Sequence, residues 1–250
     1  MTATLVPLGP AGPERTAADV VAALRLDDGR PGSARPVIAA AMISSADGRG
    51  TVQGRSAPLG HPADTALLRE LRTAVDAILV GTGTLAAERY ADVLDDDQRR
   101  RRRERGLEPE PIVATIARSG RVPADIPLFA EPGARIQVYT EADATVEGRG
   151  AQLESHRFAP GGATPRAALE HLAAARGVRS VLCEGGPTLL RALVAASCLD
   201  HLMLTLAPLV AGGDGPNMLE GEPILPPARL GLHAVHRAGE HLFMHYVPQP

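Results

Sequence analysis

Residues 178–190 read VRSVLCEGGPTLL, a short apolar run followed by a glutamate, two glycines and a helix start. The apolar run predicts a buried strand, and the two glycines allow the backbone to approach a ligand closely. A proline suits the first helical turn, whose unpaired amides and partial positive charge favour a phosphate. Glu184 ends the strand and is placed to bind the polar part of a second molecule. The alternative interpretation is an ordinary strand-turn-helix corner capped by Thr188.

The composition narrows the classes of function. The chain has 250 residues, 44% of them hydrophobic, which is enough to bury a full core. The net charge is -3, so the chain lacks the excess of basic residues that is typical of nucleic-acid-binding proteins. All 26 basic residues are arginine, so a lysine Schiff base and the lysine of a phosphate-binding P-loop are both excluded.

The sequence also indicates the compartment. It contains no apolar run of membrane-spanning length, and its first residues lack the pattern of a signal peptide. Cys183 and Cys198 are the two cysteines, and we expect both to be reduced and buried. We therefore predict a cytoplasmic protein with a small-molecule substrate and with neither a nucleic-acid nor a membrane partner.

Apolar runs alternate with helical patterns along most of the chain. This alternation is typical of an α/β fold with a mainly parallel sheet, and the last two runs predict an antiparallel hairpin. Residues 1–35 are expected to form a lead-in segment that packs on the domain or on a partner subunit, and residues 36–250 a single domain. The predicted strands are 36–43, 76–80, 111–117, 134–140, 152–158, 178–183, 201–207, 230–237 and 241–247. The predicted helices are 17–26, 63–73, 165–176 and the one that begins at Pro187.

Polar and glycine-rich turns follow three further strands. The turn at residues 44–50 contains Asp47, which either contacts a ligand or closes an Asx turn. Residues 81–86 fit the pattern G-x-G-x-x-[GA], in which Gly81 and Gly83 would approach phosphates. Arg118 and Ser119 suit a phosphate monoester such as the 2′-phosphate of NADP, or else form a solvated turn.

Two other patterns contain residue types that bind ligands. The run Arg99–Arg103 follows three aspartates and predicts a solvated face, with the alternative that one arginine reaches over the site to a substrate phosphate. His241 and His245 would lie about 13 Å apart on a strand, too far for one metal ion. We predict no metal site.

Together these motifs resemble the reductase domain of the bifunctional riboflavin-biosynthesis deaminase/reductase, a pyrimidine reductase family with a dihydrofolate-reductase-like fold. The resemblance covers about residues 36–247, and it implies a three-layer α/β/α architecture and a homodimer. It rests on the segment SSADGR at 44–49, on LR at 71–72 through GTGT at 81–84, and on EGGPTL at 184–189 with LD at 199–200 and AP at 207–208. No deaminase domain is expected before residue 36, because residues 1–35 lack the H-x-E and P-C-x-x-C motifs.

The resemblance implies an NADPH-dependent reductase of a 5-amino-6-(5-phosphoribosylamino)uracil-type pyrimidine, with hydride transfer to C1′ of the ribose to give a ribitylamine. Glu184 and Asp47 are the candidate catalytic residues. Substrate positions fall on Ser56, Arg72 and Glu184, where Glu184 would accept from the amino and ring N–H groups and Arg72 would bind the phosphate. Cofactor positions fall on Ile43, Gly81, Gly83, Thr84, Arg118, Ser119, Gly185, Gly186, Pro187, Thr188 and Leu189.

The chain departs from the family pattern at two places. Ala41 stands where the family usually has a lysine, and the acidic-Pro segment is replaced by residues 88–90. An arginine expected a few residues later is missing near residues 93–95. Because these departures remove polar contacts to a phosphate, a dihydrofolate or pterin reductase remains an alternative. A non-catalytic nucleotide-binding regulatory protein is the alternative from another class.

Overall fold

The computed structural model of the chain describes residues 14–123, 125–144 and 149–249. Within them nine strands form one sheet: β1 Val37–Ser45, β2 Ala77–Leu79, β3 Ile112–Ile116, β4 Arg135–Thr140, β5 Gln152–Arg157, β6 Ser180–Cys183, β7 His201–Ala207, β8 Leu230–Ala238 and β9 His241–Pro248. Their order across the sheet is β5-β4-β3-β2-β6-β1-β7-β9-β8.

The sheet is mixed and mainly parallel, as the sequence predicts. Seven neighbouring strands pair in parallel, in the order β5, β4, β3, β2, β6, β1 and β7 across the sheet. Strand β9 pairs antiparallel with both β7 and β8. The central strands are apolar on both faces because helices cover them on both sides, and all residues of β2 and β6 are buried. The predicted fold class, including the antiparallel C-terminal hairpin, is confirmed.

Helices pack on both faces of the sheet and form three layers. The helices are α1 Ala17–Ala22, α2 Pro62–Ala74, α3 Thr82–Ala87, α4 Asp96–Glu104, α5 Pro165–Arg176 and α6 Pro187–Ala195, with short 3-10 helices at Leu26–Asp28, Ala57–Leu59 and Pro127–Ala130. One hydrophobic core lies under α1, α2 and α3 and contains Leu71 and Leu85, while the other lies under α5 and α6 and contains Leu169 and Leu190.

The described part of the lead-in segment packs on the domain. Helix α1 contacts α2, and Val21, Leu24 and Leu26 are buried in the same core as Leu71. Helix α1 ends at Ala22 and is shorter than the predicted helix 17–26, because Arg25 adopts a left-handed conformation and a 3-10 helix follows. The prediction for residues 1–13 lies outside the described residues.

The arginine-rich segment forms helix α4, and one of its arginines is not solvated. The Arg102 side chain is fully buried and donates to the carbonyl oxygens of Arg72 at 2.9 Å, Val75 at 2.5 Å and Glu108 at 2.8 Å. Burial lowers the pKa of its guanidinium to about 10. The first two acceptors lie at the C-terminal end of α2, where carbonyls lack helical partners and a positive charge is favourable. Arg102 therefore connects α4 to the C-terminal end of α2 through hydrogen bonds.

Candidate active site

The carboxyl ends of β1, β2, β3 and β6 open into a cavity of about 970 Å³. Because these strands are parallel neighbours, the segments that follow them meet at the same edge of the sheet. One part of its lining consists of two glycine-rich turns, residues 81–84 and 185–189, and another part is a wall formed by α2.

The two glycine-rich turns touch each other through their backbones. The Gly81 amide donates to the Gly185 carbonyl oxygen at 2.8 Å. A Cβ atom on Gly81 would lie 3.0 Å from the Gly186 nitrogen, and one on Gly186 would lie 2.9 Å from Thr84 Oγ1. A side chain at either position would therefore require its neighbour to shift, the Gly186 backbone in one case and the Thr84 hydroxyl in the other. Gly186 caps α6 without a side-chain hydrogen bond, which leaves first-turn amides of that helix for a ligand.

Nearly all of the predicted cofactor positions line the cavity. They are Ile43, Gly81, Gly83, Thr84, Arg118, Gly185, Gly186, Pro187, Thr188 and Leu189. Arg118 has no ion-pair partner among the described residues. Ser119 is the exception, since it is exposed and does not line the cavity, and its hydroxyl accepts from the Arg121 amide at 3.4 Å.

Glu184 lies at the centre of a buried polar cluster, with 4% of its side chain exposed. Arg72 binds it with two parallel hydrogen bonds, Nε to Oε1 at 2.7 Å and Nη2 to Oε2 at 2.6 Å. The Tyr90 hydroxyl also donates to Oε2, and the Arg72 guanidinium lies 5.5 Å from the centre of the Tyr90 ring. Bidentate pairs of this kind are among the strongest hydrogen-bonded contacts in proteins.

The electrostatics of this cluster favour the charged form of Arg72 and the protonated form of Tyr90. Burial alone would lower the pKa of Arg72, but the Glu184 carboxylate more than offsets this and raises it. Burial, followed by the Glu184 charge, raises the pKa of Tyr90 well above its usual value, so its hydroxyl keeps the proton that it donates. Arg72 Nη1 donates to the Val93 carbonyl oxygen at 3.2 Å.

This arrangement bears on the expected roles of Arg72 and Glu184. Every nitrogen of Arg72 has an acceptor, and two of the three contacts make Glu184 its counter-ion. Both oxygens of Glu184 likewise have donors, which leaves little capacity for the amino and ring N–H groups of a heterocycle. Sequence reasoning placed both residues in the site but missed their pairing.

Ser56, the third predicted substrate position, lines the same cavity. Its amide and hydroxyl both donate to Glu88 Oε1, at 3.0 and 2.8 Å. Glu88 and Tyr90 belong to the segment that departs from the family pattern. The structure therefore brings two residues of that segment into the site, one beside Ser56 and one beside Glu184.

Asp47, which the sequence predicts as a catalytic residue, does not line the cavity. Its carboxylate is exposed, and it accepts from the Ser45 hydroxyl at 2.5 Å and from the amides of Ala211 at 2.9 Å and Gly212 at 2.7 Å. The Ser45 hydroxyl and then the two amides lower the pKa of Asp47. Through these contacts Asp47 binds the backbone of the loop after β7. They agree with the alternative interpretation, in which Asp47 has a structural role in the turn.

A second acid, which sequence reasoning missed, lines the wall formed by α2. Asp64 accepts a 2.6 Å hydrogen bond from the Thr205 hydroxyl, and both residues line the cavity. Burial raises the pKa of Asp64, opposed by the Thr205 hydrogen bond and by the charges of His241 and His61. A sequence signal did exist, because Asp64 precedes Leu68 and Leu71 by four and seven residues on one helical face.

Other ligand types find little support in the part of the chain that the structure describes. There, no three or more His, Cys, Asp or Glu side chains come together as a metal site would need. Of the described helices, none combines the length and the apolar character that crossing a bilayer requires. No arginine of the run Arg99–Arg103 lines the cavity. Both cysteines are free and buried.

The fold and site define an α/β protein with a ligand cleft at the carboxyl ends of its central strands, lined by two glycine-rich turns and by the carboxyl groups of Asp64 and Glu184. Residues 36–243 match the family model described as RibD C-terminal domain, so the chain belongs to that family. The family suggested by the sequence is thereby confirmed. The named relatives below are reductases, which places the chain among oxidoreductases.

Two curated relatives carry the name 2,5-diamino-6-ribosylamino-4(3H)-pyrimidinone 5′-phosphate reductase. The protein from Archaeoglobus fulgidus is 27% identical over 82% of this chain and 95% of its own length. The protein from Methanothermobacter thermautotrophicus is also 27% identical, over 85% of this chain and 98% of its own length.

Solved structures agree on the fold. A pyrimidine reductase-like protein from Corynebacterium diphtheriae superposes with a TM-score of 0.76 at 22% identity and covers 94% of this chain and 100% of its own. The riboflavin biosynthesis reductase of Saccharomyces cerevisiae gives a TM-score of 0.66 at 17% identity over 92% of this chain and 100% of its own.

Proposed function

We propose that the protein is an NADPH-dependent reductase of a phosphoribosylaminopyrimidine, in which hydride adds to C1′ of the ring-opened ribosylamino group and a ribitylamine results. The names of the two curated relatives support this reaction class. The observation that carries the proposal is the position of Glu184, between the glycine-rich turns and the wall formed by α2. We propose Glu184 as the catalytic carboxylate, held in one orientation by Arg72 and Tyr90.

The residues present fit a dinucleotide. The glycine-rich turns lie in backbone contact, and a side chain at Gly186 would collide with Thr84. The N-terminus of α6 offers unpaired amides to a pyrophosphate, and Arg118 is a cation without an ion-pair partner among the described residues. Bound NADPH would supply the hydride. Under this proposal Ser56 and Glu184 contact the substrate.

The direct test is NADPH oxidation, followed at 340 nm, with the phosphoribosylaminopyrimidine and with dihydrofolate as substrates. We expect turnover of the pyrimidine and formation of a ribitylamine, identified by mass spectrometry. Turnover of dihydrofolate alone would favour a pterin reductase. NADPH binding without turnover of any pyrimidine or pterin would favour a regulatory protein.

Gly186→Val should weaken NADPH binding at least a hundredfold, because the branched side chain would enter the space between the two glycine-rich turns. The added Cβ would lie 2.9 Å from Thr84 Oγ1, so some loss of stability is also expected. The fluorescence of NADPH itself or calorimetry would measure the dissociation constant, and circular dichroism the melting temperature.

Thr84→Ala separates the two effects of Gly186→Val. In the double variant Gly186→Val/Thr84→Ala, the clash with the hydroxyl is removed while the new side chain stays in the cleft. We expect the double variant to recover stability but to bind NADPH much more weakly than Thr84→Ala alone. If it binds as well as Thr84→Ala, the turn at Gly186 is only a structural corner.

Arg118→Ala should reduce the preference for NADPH over NADH about tenfold. Arg118 lines the cavity and is exposed. A charge-assisted hydrogen bond to a 2′-phosphate contributes about 1.5 to 3 kcal/mol to binding, and we expect the lower end of this range because Arg118 is exposed to solvent. The measurement is kcat/KM for both cofactors. Ser119→Ala is the matched control and should change little, since Ser119 does not line the cavity. Equal use of both cofactors by the unmutated enzyme would contradict this assignment.

We further propose a cytoplasmic homodimer. Leu225, Leu230 and Leu232 are exposed on and before β8, which is an edge strand of the sheet, and exposed apolar side chains at an edge favour association. The free, buried cysteines agree with a reducing compartment. Light scattering coupled to size-exclusion chromatography would measure the mass in solution.

A further inference from the structure

Arg191 is a cation on the cavity side of α6. Five residues of this helix line the cavity, and they are Pro187, Thr188, Leu189, Arg191 and Ala192. Leu190 and Leu193 are instead fully buried in the core under the helix. Arg191 follows the first helical residue by four positions, which is about 6 Å along the axis at 1.5 Å per residue. Its side chain therefore starts one turn after the helix N-terminus and borders the same cavity.

The loop after β7 holds the Arg191 side chain in position. Arg191 Nε donates to the Glu222 carbonyl oxygen. The backbone of Gly221 lies against the side-chain stem, since a Cβ atom there would be 2.8 Å from Arg191 Cδ. Gly221 also has a φ of +122°, a conformation that side chains disfavour. The backbone of residues 221 and 222 therefore orients the guanidinium before any ligand binds.

The two Nη groups of Arg191 remain available to a ligand. Within residues 14–123, 125–144 and 149–249 they have no hydrogen-bond acceptor, and no carboxylate there forms an ion pair with the guanidinium. Glu220 also lines the cavity, but its carboxylate accepts from the Asn217 amide at 2.7 Å. Arg72, another cation of the cavity, is neutralised by Glu184. Arg191 therefore offers the cavity a positive charge and unused donors.

We propose that Arg191 binds a phosphate group of a cavity ligand through its two Nη groups. This inference rests on the proposed function, in which both the cofactor and the substrate carry phosphates. The fork of a guanidinium matches two oxygens of one phosphate, and such charge-assisted hydrogen bonds are stronger than those between neutral groups. Because Arg118 is assigned to the 2′-phosphate, two sources remain for Arg191: the pyrophosphate of the cofactor and the 5′-phosphate of the substrate.

Arg191→Met and Arg166→Met form a matched pair of variants. Arg166 is exposed on α5, does not line the cavity, and donates from Nη2 to the Ala196 carbonyl oxygen at 2.6 Å. Each substitution therefore removes one positive charge and one hydrogen bond to a backbone carbonyl. Methionine at position 191 keeps an apolar stem against Gly221. A third variant, Arg191→Lys, keeps the charge.

Binding titrations distinguish the two sources of the phosphate. The fluorescence of the reduced cofactors gives the dissociation constants of NADPH and NADH, and calorimetry compares the phosphorylated pyrimidine with its dephosphorylated form. Arg191→Met should weaken binding of one phosphate ligand about tenfold, Arg191→Lys should restore part of the loss, and Arg166→Met should change nothing. Equal weakening of NADPH and NADH assigns the cofactor pyrophosphate. A loss confined to the phosphorylated pyrimidine assigns the substrate 5′-phosphate.

Two results would overturn the inference. Unchanged affinity of Arg191→Met for all of these ligands would mean that Arg191 only holds residues 220–222 in place. Equal losses for the phosphorylated and dephosphorylated pyrimidine, with unchanged cofactor affinity, would mean that Arg191 does not contact a phosphate.

Inorganic pyrophosphate separates this inference from the proposed function, because its binding requires neither turnover nor a particular pyrimidine. If the unmutated protein binds no cofactor and no pyrimidine, the proposed function fails and calorimetry with pyrophosphate decides on Arg191. Binding that Arg191→Met weakens about tenfold and Arg166→Met leaves unchanged supports the inference. Absence of pyrophosphate binding in that case, or an equal effect of the two variants, overturns it.

Discussion

Glu184→Ala should lower the free energy of unfolding by about 3 to 5 kcal/mol, the range observed when one partner of a buried ion pair is removed. The Glu184 side chain is 4% exposed and that of Arg72 19%, so the variant would leave a guanidinium largely buried without its counter-charge. The Tyr90 hydroxyl would lose its acceptor as well. Urea unfolding monitored by circular dichroism measures the effect.

A double-mutant cycle assigns this loss to the pair. Arg72→Met/Glu184→Leu removes both charges and keeps apolar volume, and it should cost less than the sum of the two single variants. Glu154→Ala is the matched control, because Glu154 pairs with Arg176 on the surface, where ion pairs contribute about 1 kcal/mol or less. A loss for Glu184→Ala no larger than that of Glu154→Ala would show that the buried pair contributes little to stability.

Arg102→Met should destabilise the fold by about 3 kcal/mol or more. Methionine fills a similar volume but donates no hydrogen bond, so the carbonyl oxygens of Arg72, Val75 and Glu108 would lose their donor in the interior. Each buried acceptor left unpaired costs about 1 to 3 kcal/mol. Because Arg102 binds the backbone of Arg72, we also expect a lower kcat/KM from a displaced Arg72 side chain.

The adjacent arginine provides the control for this prediction. Arg103 lies on the same helix and is exposed, and Arg103→Met should change the free energy of unfolding by about 0.5 kcal/mol or less. Both variants remove one positive charge from α4, so the change in net charge cancels in the comparison. Equal effects of the two substitutions would mean that the buried contacts of Arg102 contribute nothing.

The fold was predictable because its signals are local. Each central strand is an apolar run bounded by polar or glycine residues, and β7 begins and ends where the pattern predicts. Helix α5 begins after Thr164, whose hydroxyl accepts from the Ala167 amide, and it ends at Gly177 in a left-handed conformation. The location of the site was predictable for the same reason, since parallel strands deliver their carboxyl ends to one edge.

The α/β class, the glycine-rich turns and the edge where the cavity lies follow from local sequence signals, because periodicity and turn chemistry act within a few residues. The pairing of the polar groups follows from tertiary packing. Arg72 meets Glu184 across 112 positions and Asp64 meets Thr205 across 141, whereas Asp47 meets the loop after β7 instead of the cavity. The spacing of residues along a helix or strand predicts the face on which each side chain lies. The hydrogen-bond partner of that side chain depends on the strand order and on the packing of α2 and α4 against the sheet.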